Sequence, residues 1–392
     1  MIRQTTTLPL AESANDGPVG RGALTGKGLA GFVVLELMLL AAIPVLAVIG
    51  YQSLLCSQSG EFVVEPTPAD PGWQALVDPT PLSVVVEVVD EKVSGLTLVI
   101  PSGSGSTGGA VMLVPGALQF AGRSMSELTP EQARRALESM LRLRIDRMVI
   151  GDEAGWAAMI GEGTVEVANP DPVTGPDGGT LLPVGEVELD SSTIPAFLGR
   201  PLPDTPAIAL EFRREIFWSE ALADELLRPG SAGTSVSAST SDTEAVAIYL
   251  GQIAAGLHQI EAMPVSISNN IVAPDLDATD ELLGELVALP AAAAPGDRLQ
   301  VRILDRAGTN DLESAARALG ANGYEVIQIG NAAAWDELPT QVVTTVAADQ
   351  DQVAALADLV GADSVESSTD EDAVSTVTVL LADDSFAAVF QE

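Results

Sequence analysis

Cysteine and histidine are almost missing from this chain, with one of each, Cys56 and His258, in 392 residues. A single cysteine cannot close an internal disulfide, so the fold rests on packing, and the redox compartment stays open. No Ser-His-Asp or Cys-His arrangement can be assembled from them. His258 falls in a segment that reads as a helix from Glu244 to Ile260, with no second ligand for metal or acid/base work. Positive charge is also scarce, 18 Lys and Arg against 55 Asp and Glu, for a formal net charge of −37. A surface of that sign repels nucleic acid and anionic lipid, so neither is an expected ligand. Aromatics are only 4% of the residues. Of these, Trp156, Phe217 and Trp218 could line a lipid or sugar pocket or simply fill a core. The Ser102 to Gly109 turn lacks a following Gly-Lys-Ser/Thr and reads as a hairpin connection rather than a phosphate cradle. There is no repeat of the solenoid kind.

What is present begins with an apolar run. Leu37 to Cys56 carries no charge and is long enough to cross the hydrocarbon core. Arg21 and Lys27 precede it and Glu61 is the first charge after it. The positive-inside rule therefore predicts a single-pass cell-membrane protein: cytoplasmic tail 1–27, transmembrane anchor 28–56, and an extracytoplasmic remainder. An alternative is kept, because Gly31-Phe32 with Glu36 five residues into the cleaved chain resembles the processing site of type IV pilin precursors, implying a processed, pilin-like surface protein. Cys56 is a poor lipoprotein site because bulky Leu55 precedes it. Residues 57–81, rich in Pro, Ser and acids, read as a stalk.

The external chain is expected to be α/β, a larger domain at 82–289 with a mixed sheet, a small-residue linker at 290–297, and a small βαββαβ sandwich at 298–392. In the larger domain Val84 to Val89, Leu96 to Ile100 and Ala110 to Val114 read as strands. Thr129-Pro130-Glu131-Gln132 is a capping box opening a helix to about Leu143. A long helix is expected over Ala207 to Leu227, with Ile208, Phe212, Phe217 and Leu222 facing the core. In the terminal module a strand at Val301 and Ile303 precedes a helix capped at Asn310, with Leu312, Ala315, Ala316 and Leu319 at helical spacing. Val326 to Ile329 and Val342 to Val346 make two strands, Val353 to Val360 a second helix, and Val377 to Leu381 the last strand. The module has no Cys, no His and no glycine loop, so binding or scaffolding is its expected role.

These stretches carry a resemblance. LQVRILDRAGTNDLESAARALGANGYEVIQIGNA (299–332), VVTTVAADQDQVAALADLVGA (342–362) and VTVLLADD (377–384) look like the C-terminal domain of LytR-CpsA-Psr cell-envelope proteins. IDRMVIGDEAGWAAMI, LLPVGEVELD, AFLGR and FRREIFWSEAL, in that order, resemble the catalytic domain of the same family. The resemblance implies transfer of a glycopolymer from a polyprenyl pyrophosphate carrier to peptidoglycan. Such chemistry needs arginines on the pyrophosphate and a carboxylate-held divalent cation. Here the family's Pro-Arg-Asp position holds Pro115-Gly116-Ala117. The arginine loop keeps only Arg200, the Arg-Gln-Gln helix keeps Arg213 with Leu210 one turn earlier, and Asp90 is a metal-carboxylate candidate whose partner position is Gly95. The expectation is a degenerate, non-catalytic or regulatory member acting in cell-wall glycopolymer assembly. An active transferase using Asp90, Arg200 and Arg213 is the alternative, and only that alternative calls for Mg. The implied partners are the membrane, a cell-wall glycopolymer, a polyprenyl-linked lipid or another envelope protein. Arg134, Arg135 and Arg142, with Arg144 and Arg147, are the one basic concentration and the candidate anion-binding surface, although Glu131 and Glu138 interleave with them.

Overall fold

A computed structural model describes residues 66–103, 107–201, 207–223, 236–269, 271–345, 348–362, 364–368 and 377–382. The expected tail and anchor, Cys56, the Phe32 processing site and the first part of the stalk lie outside these residues. Among the described residues no helix is long and apolar enough to cross a membrane.

In chain order the elements are β1 (Gln74–Leu76), β2 (Ser83–Val89), β3 (Lys92–Pro101), β4 (Gly109–Pro115), the short ribbon β5 (Gln119–Phe120) and β6 (Arg123–Ser124), and α1 (Pro130–Leu141). Next come β7 (Arg147–Gly151), α2 (Glu153–Ile160), β8 (Val165–Asn169), β9 (Val173–Thr174), β10 (Thr180–Leu182), β11 (Gly185–Leu189), α3 (Ile194–Gly199) and α4 (Leu210–Ala223). The larger unit closes with α5 (Asp242–Ala254), β12 (His258–Ala262), β13 (Val265–Ser268), β14 (Ile271–Pro274) and α6 (Leu276–Leu286).

Its centre is a five-stranded mixed sheet in the order β12-β4-β3-β2-β7. Strands buried on both faces read as apolar runs, as Val84–Val86 of β2 and Ala110–Val114 of β4 do. Val85, Val99, Val111 and Leu113 point to one side, where Phe197, Phe217, Trp218 and Leu250 complete a core. Val84, Val86, Leu96, Leu98 and Met112 point to the other, against Leu137 and Met140 of α1 and Leu283 of α6. The result is a three-layer α/β/α arrangement. The box at the start of α1 forms on both sides: Thr129 Oγ1 accepts from Gln132 N, and Gln132 Oε1 accepts from Thr129 N.

The helix read as Glu244 to Ile260 ends at Ala254, and His258–Ala262 pairs in parallel with Gly109–Leu113 of β4. Gly256 makes the break possible, because an added Cβ there would lie 2.8 Å from Gly108 Cα. A sheet edge offering five paired residues outweighs the helical preference of this stretch. On α4, Phe212 is 59% exposed rather than core-facing, whereas Arg213 and Arg214 turn inward with Phe217 and Trp218.

The terminal module contains β15 (Gln300–Asp305), α7 (Leu312–Ala321), β16 (Glu325–Asn331), β17 (Gln341–Thr345), α8 (Gln350–Leu359), β18 (Ser364–Ser368) and β19 (Val377–Leu381). Leu312, Ala315 and Leu319 of α7 and Val353 and Leu356 of α8 share one core with Val301, Ile303, Val342 and Val379 of the sheet. The cap of α7 is Asp311, which accepts from Glu313 N and Ser314 N. Asn310 instead donates from Nδ2 to Asp305 Oδ1 and Ala382 O, tying the turn to the strand ends.

The sheet has six strands, β1-β16-β15-β19-β17-β18, two more than the βαββαβ expectation. Strand β18 pairs in parallel with β17 at the sheet edge. At the opposite edge β1, from the segment expected as stalk, pairs antiparallel with β16 through Gln74 to Gly330 and Leu76 to Gln328. Asn331 fastens this segment by donating from Nδ2 to Pro68 O and Asp70 O at 2.9 and 2.8 Å. Just beyond β1, Thr80 N donates to Leu289 O and Leu289 N donates to Thr80 Oγ1.

Candidate functional site

Helix α4 carries the charged centre of the larger unit. Arg214 is fully buried and Arg213 is 2% exposed. The Arg214 guanidinium meets Glu87 of β2 twice, Nη2 to Oε1 at 2.9 Å and Nε to Oε2 at 2.8 Å; the second is an ion contact rather than an aligned hydrogen bond. Nη1 donates to Glu211 Oε2 at 2.6 Å and to Val114 O at 3.0 Å, while Nη2 also donates to Leu96 O at 2.6 Å. Thr97 Oγ1 donates to Glu87 Oε1 at 2.7 Å and accepts from Trp218 Nε1 at 3.0 Å. Burial works against the charge on Arg214, but Glu87 and then Glu211 outweigh it and hold the guanidinium more firmly protonated than usual. Burial pushes the Glu211 carboxyl up, and Arg214 opposes that rise.

Gly95 of β3 faces this guanidinium. A Cβ added there would stand 2.6 Å from Arg214 Cζ. The strand lacks a side chain because a cation fills the space. Three sequence cues mark this network: Glu87 inside an apolar strand, glycine within a ten-residue strand, and an Arg-Arg pair on a core-facing helix. No local window joins these cues into a network, since Glu87 and Arg214 lie 127 residues apart.

Asp90, Arg200 and Arg213 come together on the same side. Asp90 and Glu91 turn β2 into β3 with φ of 49° and 64°, the left-handed pair a two-residue hairpin needs. Asp90 Oδ1 accepts from Arg200 Nη2 at 2.8 Å, and Arg200 Nη1 donates to Thr174 O at 3.0 Å. Arg213 Nη2 donates to Arg200 O, and its Cζ lies 5.8 Å from the Phe197 ring centroid. Burial pushes the Arg213 pKa down, with Asp171 opposing. Arg213 Nη1 and Arg200 Nε are buried without a hydrogen-bond partner among the described residues.

This geometry does not suit a divalent ion. Asp90 is already committed to a guanidinium, and the face of Gly95 is filled by another. Among the described residues no group of three or more His, Cys, Asp and Glu could hold a metal. His258 sits on a strand, exposed, with Nδ1 3.3 Å from Gly256 O.

Beneath α4, Trp156 packs 5.3 Å from Phe217 and 5.9 Å from Trp218, and Phe217 lies 5.3 Å from Trp218, centroid to centroid. All three are buried together with Phe197 and Leu222. The aromatics therefore form core, with edge-to-face contacts at two of the three pairs.

Every arginine of the basic concentration has an acidic partner. Arg134 meets Glu131 and Glu138, both at 2.8 Å, and Arg135 meets Glu131 at 2.9 Å. Arg142 meets Asp280 at 2.9 Å, Arg144 meets Asp146 at 2.8 Å, and Arg147 meets Asp242 at 3.0 Å. The Arg134 hydrogen bond, followed by that of Arg135, lowers the Glu131 carboxyl to about 2.

Solved structures similar to this chain include a putative transcription regulator from Eubacterium siraeum, at 13% identity and a TM-score of 0.40 over 57% of this chain and 95% of that one. A LytR-Csp2A-Psr enzyme from Actinomyces oris gives 18% identity and a TM-score of 0.38 over 58% and 99%. TagT of B. subtilis gives 11% and 0.39 over 57% and 93%. No curated protein sequence matches the chain. Residues 298–384, which make up most of the terminal module, match the family described as LytR cell envelope-related transcriptional attenuator.

Proposed function

We propose that the chain is a membrane-anchored, extracytoplasmic envelope protein whose larger unit performs no transfer chemistry and which acts by binding or regulation in cell-wall glycopolymer assembly. The observation that carries this reading is the filled space under α4. A lipid carrier needs an elongated apolar pocket there, whereas Trp156, Phe197, Phe217 and Trp218 occupy the interior. The charge pattern agrees with it. Gly116 and Ala117 stand where the transferase pattern puts an arginine and an aspartate, and Arg214 is consumed by Glu87 and Glu211. Losing one preorganised charged donor from an electrostatic site costs about 10²–10³ in rate, so losing several leaves little catalysis. With a polyprenyl pyrophosphate analogue and magnesium, the purified external region is expected to release no phosphate or pyrophosphate above background. Magnesium-dependent release would overturn the proposal.

A second reading has one observation in its favour, the convergence of Asp90, Arg200 and Arg213. If these form a reduced transferase site, Arg213→Ala abolishes turnover. Unchanged turnover in that variant rejects it.

A further inference from the structure

A groove of ≈ 460 Å³ lies between the larger unit and the terminal module, where the end of α1, helix α6 and the turn after α7 meet. Its volume is in the range of small-ligand sites. The walls alternate planar donors and acceptors: Arg142, Arg298 and Asn322 with Asp280 and Asp297, and Tyr324 supplies an aromatic face.

Two of these groups have hydrogen-bonding capacity to spare. Arg298 is half-buried; its Nε donates to Arg142 O at 3.2 Å and its Nη1 to Gly323 O at 3.0 Å. Nη2 has no hydrogen bond, and no carboxylate among the described residues lies within ion-pair distance of this guanidinium. Burial, and after it the like charge of Arg142, pushes the Arg298 pKa down, with Asp280, Glu325 and Asp297 opposing. Tyr324 is half-buried and its hydroxyl has no partner among the described residues; burial pushes its pKa up. A half-buried donor left open in this way gains from a ligand that accepts from it.

The charge balance selects the ligand. Asp280, Glu281 and Asp297 face the same space, and the chain carries a net −37, so a polyanion is repelled. Vicinal hydroxyls donate and accept from the same atom and match walls that interleave both roles. The C–H face of a sugar ring fits the apolar face of a tyrosine.

We propose that this groove binds an uncharged saccharide segment of two or three rings, with Arg298 and the Tyr324 hydroxyl as its principal hydrogen-bonding groups. The site is separate from α4 and does not depend on whether the larger unit transfers anything.

The test uses the full-length chain in detergent and triacetylchitotriose as the probe, read by saturation-transfer NMR and calorimetry, with a glycerol phosphate trimer as the anionic counterpart. The neutral trisaccharide is expected to bind and the anionic trimer not. Tyr324→Phe, which keeps the ring and loses only the hydroxyl, should weaken binding about fivefold, and Arg298→Ala about tenfold or more. Since Arg298 also bridges two carbonyls, a melting curve accompanies that variant, and Tyr324→Phe decides the matter if Arg298→Ala unfolds. No transfer to the trisaccharide at 10 mM, roughly the weak limit for such sites, would overturn the proposal. So would preferential binding of the anionic trimer, or trisaccharide affinity that Tyr324→Phe leaves unchanged.

Discussion

Replacing Arg214 by methionine keeps most of the side-chain volume and deletes the charge. Glu87, 1% exposed at its side chain, and Glu211, 12% exposed, would then face each other across a space that no longer holds a cation. The carbonyls of Leu96 and Val114 each lose the arginine donor at the same time. Removing one partner of a buried ion pair costs about 3–5 kcal/mol, because the other charge is stranded. Against a total stability of roughly 5–15 kcal/mol this is a large fraction. With a urea slope of about 3 kcal/mol per molar, the midpoint should fall by roughly 1–1.7 M at pH 7. The deficit should shrink in acid. A carboxyl whose folded pKa is raised binds its proton more tightly when folded, so it favours folding below its unfolded pKa and loses that contribution as pH rises through the folded value. Burial already raises Glu211 with Arg214 present, and deleting the arginine removes the force that opposes the rise. The companion variant Glu87→Gln/Glu211→Gln/Arg214→Met removes the stranded charges and should regain most of the loss. If Arg214→Met unfolds at the wild-type urea midpoint at pH 7, or if the triple variant is no better than the single one, the network is not the electrostatic keystone described above.

Two further outcomes are expected. Glu131 should titrate near 2 by carboxyl NMR; its folded pKa is depressed by Arg134 and Arg135, so its contribution to stability is present above the ordinary value of 4.5 and is lost as pH falls towards about 2. A Glu131 midpoint close to 4.5 would contradict the ion pairs drawn for it. Asn331→Ala removes both donors that fasten residues 68 and 70, a loss of about 1–3 kcal/mol, and limited proteolysis should then cut the 66–77 segment sooner than in the wild type.

How much could be read from sequence depended on where the deciding contact lay. The α1 box was legible because Thr129 and Gln132 are three residues apart and the signal is local. The central strands were legible because burial on both faces leaves apolar runs at Val84–Val86 in β2 and Ala110–Val114 in β4. Strand β18, Ser-Val-Glu-Ser-Ser, has one apolar residue and takes its conformation from hydrogen bonds to β17, so no periodicity announces it. The start of strand β12, His258 to Ile260, reads as helical because it gains strand conformation only from β4, more than a hundred residues earlier in the chain. At the candidate site, Asp90, Arg200 and Arg213 are marked only by the family resemblance, and the structure places Arg200 in contact with the other two. Arg214 was passed over because its meaning depends on Glu87, Gly95 and Leu96, which no window around residue 214 contains.

The strand β1 changes what kind of assembly this is. Its partner β16 is roughly two hundred and fifty residues further along, yet the entropic cost of closing a loop grows only with the logarithm of its length. The terminal sheet is therefore a frame begun before the larger unit is synthesised and finished after it. Its first strand waits unpaired until β16 has emerged. Once it closes, the chain entering the larger unit at Thr80 and the chain leaving it at Leu289 are hydrogen-bonded side by side. The larger unit thus hangs from two adjacent cords, and a pull on the chain N-terminal to β1 would load the edge of the terminal sheet before it reached the larger unit.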